Sequence, residues 1–240
     1  MTIELYTWPT PNGHKAQIMV EELGIAYDLK PVNIFEGDQL VESFADISPN
    51  RRIPALVDTD GPAGKRIRVF GSGAVLLYLA EKFGSFLPKT PHGRMEAMQW
   101  LMWQVGGLGP MFGQAQHFFH YATDKHPYSL DRYTRESARL LSVMDRHLAA
   151  HEFLADEYSI ADMACFPWVR VHKLAGLSIE GLPNVGRWYG AIRTRPAVGR
   201  GMNILREHLT GVPNKPGPRT IMFGDGTVKR PVSGACLGDG

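Results

Sequence analysis

Tyr6-Thr7-Trp8-Pro9-Thr10-Pro11-Asn12-Gly13-His14-Lys15 reads as a turn from a strand into a helix, and the arrangement of the chain's first part follows from it. Upstream, Ile3 to Trp8 is short and rich in β-branched and aromatic residues. Downstream, Ala16, Ile18, Met19, Val20 and Leu23 make an amphipathic helix that stops at Gly24. Thr10 suits the N-cap, and Pro11 then falls on the first helical position, where its missing N–H costs nothing. A helix begun this way presents free backbone N–H groups and the positive end of its dipole. An anion, a thiolate included, suits that position.

Working outward, Ala26 to Asn33 reads as a second strand that completes a βαβ unit, and Phe35 to Ile47 as a loop with a short irregular helix. Ser48-Pro49-Asn50-Arg51-Arg52-Ile53-Pro54 then leads into a third strand, Ala55 to Asp58. A proline in that place either ends the ladder or forms a cis bond that turns a backbone edge toward a ligand. A turn over residues 58 to 65 and a fourth strand, Arg66 to Phe70, complete an antiparallel hairpin. Gly71-Ser72-Gly73 opens the next helix with Ser72 as its cap, Val75, Leu76, Leu79, Ala80 and Phe83 inside, and Gly84 as the stop. The order βαβ then ββα is an α/β, thioredoxin-like arrangement, assigned to residues 1–86.

Ser85 to His92 reads as a linker, after which helical patterns take over. Arg94 to Val105 is one helix, bent or broken by Gly106 to Pro110; another runs from about Ser129 to Ala150. Ser159 and Asp162 form a capping box for an apolar helix over Ala161 to Val171, and a last helix runs from about Val185 to Arg193, closed before Pro196. Residues 93–209 are therefore expected to be all-α. The Gly- and Pro-rich residues 210–240 read as an extended tail, with Thr220 to Phe223 as a short strand or arm.

Of 240 residues 44% are apolar and 21% charged, with a formal charge of +2, which is ordinary for a soluble globular protein and leaves no basic footprint for nucleic acid. No run is long and apolar enough to span a bilayer, and the first residues lack the pattern of a signal peptide, so the expectation is a cytoplasmic protein without a membrane partner. The two cysteines, Cys165 and Cys236, make neither a disulfide framework nor a zinc site, and Cys165 reads as a buried thiol in an apolar helix. His117 and His120 have no neighbouring carboxylate or cysteine, so no metal is expected. The first turn also lacks a Cys-x-x-Cys dithiol, so redox chemistry there requires a mobile thiol.

Taken together, Ser48-Pro49-Asn50 with Ile53 to Asp58, Ser72-Gly73-Ala74 with Leu77 to Lys82 around Tyr78, and Tyr158-Ser159-Ile160-Ala161-Asp162 resemble the cytosolic glutathione transferase family. Thr10 to Lys15, Trp103 to Met111 and Tyr128 to Tyr133 resemble its nu-class branch, glutathione-dependent disulfide-bond reductases related to a yeast nitrogen regulator. The resemblance spans about residues 3 to 205. It implies glutathione as a bound thiol co-substrate, a homodimer, and a role for each of several residues. Thr10 and Asn12 would hydrogen-bond the glutathione thiolate and lower its pKa, neither being a base near neutral pH. Tyr6 is the rival donor, because other classes use a tyrosine near the end of the first strand. The resemblance makes Pro54 cis, with Ile53 offering its N–H and C=O to the cysteinyl backbone. It also places Gln39 at the glycine end and Ser72, at a helix N-terminus, on the γ-glutamyl carboxylate. Arg132 would contact a second glutathione or the disulfide, its alternative being an i,i+4 pair with Glu136.

One position departs from the pattern. Where the family has Glu before this Ser, to take the ligand's ammonium, the chain has Gly71. Losing one charge-assisted bond costs roughly 1.5–3 kcal/mol. The leading reading is disulfide-bond reduction by thiol–disulfide exchange. The alternatives are conjugation of small electrophiles on the same thiolate, and a non-catalytic binding or regulatory module, which Gly71 favours. A wide cleft that admits a second peptide favours exchange; a closed apolar pocket favours conjugation.

Overall fold

The computed structural model of the chain describes residues 3–124, 126–209 and 220–222. Strand β1 (Ile3–Thr7) runs into helix α1 (Pro11–Leu23), then β2 (Asp28–Pro31), a 3-10 turn Asp38–Leu40, α2 (Glu42–Ala45), β3 (Ala55–Asp58), β4 (Ile67–Phe70) and α3 (Ser72–Phe83). The four strands form one sheet in the order β2-β1-β3-β4. β1 lies parallel to β2, while β3 is antiparallel to both neighbours, with Leu5 opposite Leu56. Both leucines are fully buried, and α1 and α3 pack with the sheet in one core. This is the thioredoxin-like arrangement. The second strand is shorter than the expected Ala26 to Asn33, with Val32 N–H still donating to the Thr7 carbonyl at 3.0 Å beyond its end, and the fourth begins at Ile67.

The turn from β1 to α1 takes the form that its residues require. Thr10 is extended (φ −119°, ψ 165°) and its Oγ1 accepts from Gly13 N–H at 3.1 Å, with Pro11 at the first helical position. A Cβ on Gly13 would lie 1.9 Å from the Trp8 carbonyl oxygen, so only glycine lets the helix start this close to the strand end. Gly24, in the left-handed region, stops the helix.

The remaining elements are helical: α4 (Pro91–Trp103), α5 (Gly109–Gln116), α6 (Pro127–Leu148), α7 (Ile160–Arg170), α8 (Pro183–Arg193) and α9 (Pro196–Asn203). α4 begins inside the stretch expected to be linker, capped by Thr90 on Gly93 N–H. The glycines from 106 to 109 and Pro110 do not break the chain's helical course. A wide π turn over Gln104–Leu108 joins α4 to α5 and absorbs the proline's missing donor. α8 ends at Arg193, before Pro196, as expected, but helix α9 was not expected: Pro196 starts it at the first position. Arg195 and Arg200 bind it to α1 through Glu22 and Glu21, at 2.6 and 2.7 Å. Thr220–Met222 is helical, not a strand, with Met222 packed against Trp8, Phe35 and Leu205; Phe223, Cys236 and most of the tail lie outside the described residues.

α7 is the buried axis of this half. Ser159 Oγ accepts from Ala161 N–H, and Asp162 returns the bond to Ser159 N–H at 3.0 Å. The Asp162 carboxylate also accepts from Leu154 N–H at 3.0 Å and Trp188 Nε1–H at 2.8 Å. Burial raises its pKa to about 6 despite these donors. Removing this acceptor leaves several buried donors without a partner, so Asp162→Ala should lower the unfolding free energy by roughly 2–4 kcal/mol; equilibrium denaturation reads this directly, and a loss below about 0.5 kcal/mol would contradict it.

Candidate functional site

Two cavities meet where the first turn faces the helical half. One, of about 280 Å³, is lined by Thr10, Asn12, Gln39, Ile53, Ile221 and Met222 among others. The other, of about 650 Å³, is lined by Lys15, Ser72, Gln104, Gln114 and His117 among others. Asn12, Arg52 and Trp168 belong to both, so the two are halves of one cleft.

At the start of α1 the donors are unequally committed. Pro11 has no N–H, Gly13 N–H is taken by Thr10 Oγ1, and His14 N–H by the Thr10 carbonyl at 2.8 Å. Asn12 N–H is left, at the positive end of the helix dipole. Thr10 accepts through oxygen and keeps its own proton to donate. Asn12 Oδ1 accepts from Trp168 Nε1–H at 3.1 Å, which fixes the amide so that Nδ2 is the end free to donate. Three donors are therefore left at the start of α1, on residues that line one cavity, and none of them is a base. That arrangement stabilises an anion made elsewhere or in place; it cannot take a proton itself.

Along the cleft from Thr10, the Ile53–Pro54 bond is cis. Among the described residues Ile53's backbone N–H and C=O have no protein partner. Gln39 is buried; its Nε2 donates to the Ile34 carbonyl at 3.3 Å, and its Oε1 has no partner. These groups form the kind of edge that an extended peptide pairs with.

In the other direction lies Ser72. It is the first residue of α3, not its cap; the cap position is Gly71, which offers no side chain. Ser72 Oγ instead accepts from Lys15 Nζ at 3.2 Å. Lys15 also donates to Gln104 Oε1 at 2.6 Å and is only 1% exposed, with no carboxylate partner among the described residues. Burial pulls the ammonium's pKa down to about 7, against a small opposing effect of the Cys165 thiol. Sequence reasoning missed Lys15, because a lysine next to an amphipathic stripe reads as its polar face. Gly71 has φ 88° and ψ 127°, a conformation that glycine alone adopts without strain.

The remaining expected residues fall elsewhere. Tyr6 donates to Glu4 Oε2 at 3.1 Å and packs on Phe44, lining neither half of the cleft. Arg132, on α6, lines a separate cavity of about 710 Å³ with Met111, Tyr128 and Tyr133; α5 borders both. Glu136 pairs with Arg139 at 2.7 Å instead of with Arg132. Among the described residues no group of three or more His, Cys, Asp or Glu is placed to hold a metal, and no helix is long and apolar enough to cross a membrane.

Residues 10–82 match the glutathione S-transferase N-terminal domain and residues 109–196 the C-terminal domain of the same family. The chain belongs to the glutathione S-transferase family. It is 45% identical over 202 residues to the disulfide-bond oxidoreductase YfcG of Escherichia coli, covering 83% of this chain and 94% of that one. To the E. coli disulfide-bond oxidoreductase YghU it is 45% identical over 219 residues, 85% and 75% of the two chains. A glutathione transferase from Pseudomonas putida, solved with one glutathione disulfide bound per subunit, superimposes with a TM-score of 0.81 at 44% identity over 85% of this chain and 91% of that chain.

The buried ammonium has a consequence for stability. With its folded pKa near 7 and an unfolded value near 10.4, the unfolded chain holds more protons between those limits, so stability rises with pH there. From about pH 7 to pH 9.5 the wild type should therefore gain on Lys15→Met by up to roughly 1.4 kcal/mol per pH unit, measured by denaturant unfolding of both proteins. A difference that stays constant across that window would contradict a buried, depressed lysine.

Proposed function

We propose that the chain is a glutathione-dependent disulfide-bond reductase in which Thr10 and Asn12 hold the glutathione thiolate. The observation that carries this reading is the Trp168–Asn12 hydrogen bond, which leaves Asn12 Nδ2 beside the Thr10 hydroxyl and Asn12 N–H as donors at a helix start. Such donors favour the charged form of a thiol and lower its pKa. The extended edge at Ile53, Pro54 and Gln39 fits the cysteinyl–glycyl part of the tripeptide, and the Ser72 region fits its γ-glutamyl carboxylate.

Exchange then proceeds in two displacements. The bound thiolate attacks one sulfur of a substrate disulfide, forming a mixed disulfide and releasing the other sulfur as thiolate. A second glutathione thiolate attacks the glutathione sulfur of the mixed disulfide, forming glutathione disulfide and releasing the second substrate thiolate. Two glutathiones lose one electron each, and the substrate disulfide gains both. The open, two-part cleft supports exchange over conjugation, since a second peptide needs room next to the sulfur. Arg132, in the cavity across α5, would serve that second glutathione. The proposal includes a homodimer; exposed Phe70 on β4 with Met95 and Met102 on α4 are apolar surface suited to one.

Each donor to a thiolate is worth about 1.5–3 kcal/mol. Removing both in Thr10→Ala/Asn12→Ala should cut reduction of a small hydroxyalkyl disulfide by glutathione at least about tenfold, while glutathione affinity changes less. Unchanged reduction, or wild-type protein that conjugates an activated aryl halide but reduces no disulfide, would overturn the reading.

A further inference from the structure

The half of the cleft around Ser72 is lined by two cations, Lys15 and Arg52, and by no carboxylate. Lys15 spends two of its three N–H groups on Ser72 Oγ and Gln104 Oε1, and has no carboxylate partner among the described residues. Gln104 is fully buried and lines this cavity, yet its Nε2 has no partner. α3 starts here without a side-chain cap, and the first of its N–H groups to be taken is that of Val75, by the Gly71 carbonyl at 3.0 Å. Arg52 adds a second cation to the lining, and no lining residue is a carboxylate. A buried, unpaired ammonium next to an unpartnered amide is costly unless an anion completes it.

An α-amino acid terminus brings one carboxylate and one ammonium. The cavity has several partners for the first and no charged partner for the second. Gly71 sits at the rim with nothing within 4 Å of where its Cβ would be, so among the described residues no side chain fills that place either.

Resting on the glutathione reading above, we propose that Lys15 and Gln104 determine ligand specificity: they read the γ-linked carboxylate, and the neighbouring amine goes unread. The thiol co-substrates accepted are then a class wider than glutathione, namely Cys-Gly peptides whose N-terminal acyl arm ends in a carboxylate, with or without a free α-amine.

The test is calorimetric titration of the full chain at neutral pH with three tripeptide thiols: glutathione, its des-amino analogue glutaryl-Cys-Gly, and its des-carboxy analogue 4-aminobutanoyl-Cys-Gly. Deleting the amine should change affinity less than about fivefold, and deleting the carboxylate should weaken it at least about tenfold, the range for one charge-assisted contact. In Lys15→Met the preference for glutathione over the des-carboxy analogue should shrink at least about threefold; should that variant not fold, Gln104→Leu asks the same question, and the wild-type comparison stands alone. Glutathione binding with an amine effect above fivefold, or with no carboxylate effect, overturns this inference and leaves the reductase reading intact. Failure of all three peptides to bind at millimolar concentration overturns both.

Discussion

A buried lysine ammonium connects the two halves of this molecule. Lys15 starts on α1, reaches Ser72 at the start of α3 and ends on Gln104 in the π turn between α4 and α5. An ammonium taken out of water must find oxygens at hydrogen-bond distance, and here they come from residues 57 and 89 positions away. Lys15 thus adds a polar contact among α1, α3 and the helical half to the shared apolar core, the Glu21 and Glu22 ion pairs and the Asn12–Trp168 bond. The π turn has a reason in the same terms, since a widened turn is what carries Gln104 in the bend ahead of Pro110.

The same placement divides the cleft chemically. Around Thr10 and Asn12 the first-turn donors are neutral and set at a helix N-terminus, with Arg51 and Arg52 in the same lining, which suits a polarisable sulfur anion. Around Ser72 one donor is a buried lysine, which an incoming carboxylate would hold in its charged form, and another an unpartnered amide. Between them Trp168, from α7, both lines the cleft and orients Asn12, so the helical half would take part in activating a thiol under the proposed function. Gly71 relaxes the backbone where the family pattern places a glutamate, and the electrostatics of that end become those of an anion seat alone.

Much of this was legible in the sequence wherever the signal is local. Thr10 with Pro11, Ser159 with Asp162, Gly24 and Gly84 act within a few residues of themselves, and each sits where its chemistry requires. The strand from Ala55 to Asp58 could be read for the same reason. The helix begun by Pro196 was not read, because a proline that closes one helix can also begin another, and whether it does depends on what waits to pack on the new one; α1 does, through Glu21 and Glu22. Lys15, Gln104 and the orientation of Asn12 were not legible at all, since their roles exist only once distant segments meet. Arg132 was read from resemblance as a contact for a second glutathione, and it lines a neighbouring cavity across α5.

The central claim is that Thr10 and Asn12, with the dipole of α1, stabilise a bound thiolate by donating to it, neither acting as a base. The direct measurement is the ultraviolet thiolate absorbance of glutathione titrated over pH, in the presence and absence of saturating wild-type protein. The account predicts a bound thiol that ionises at least about one pH unit below the free thiol's value near 8.5, and returns most of the way to it in Thr10→Ala/Asn12→Ala. A bound thiol that ionises at the free value in the wild-type protein would contradict it.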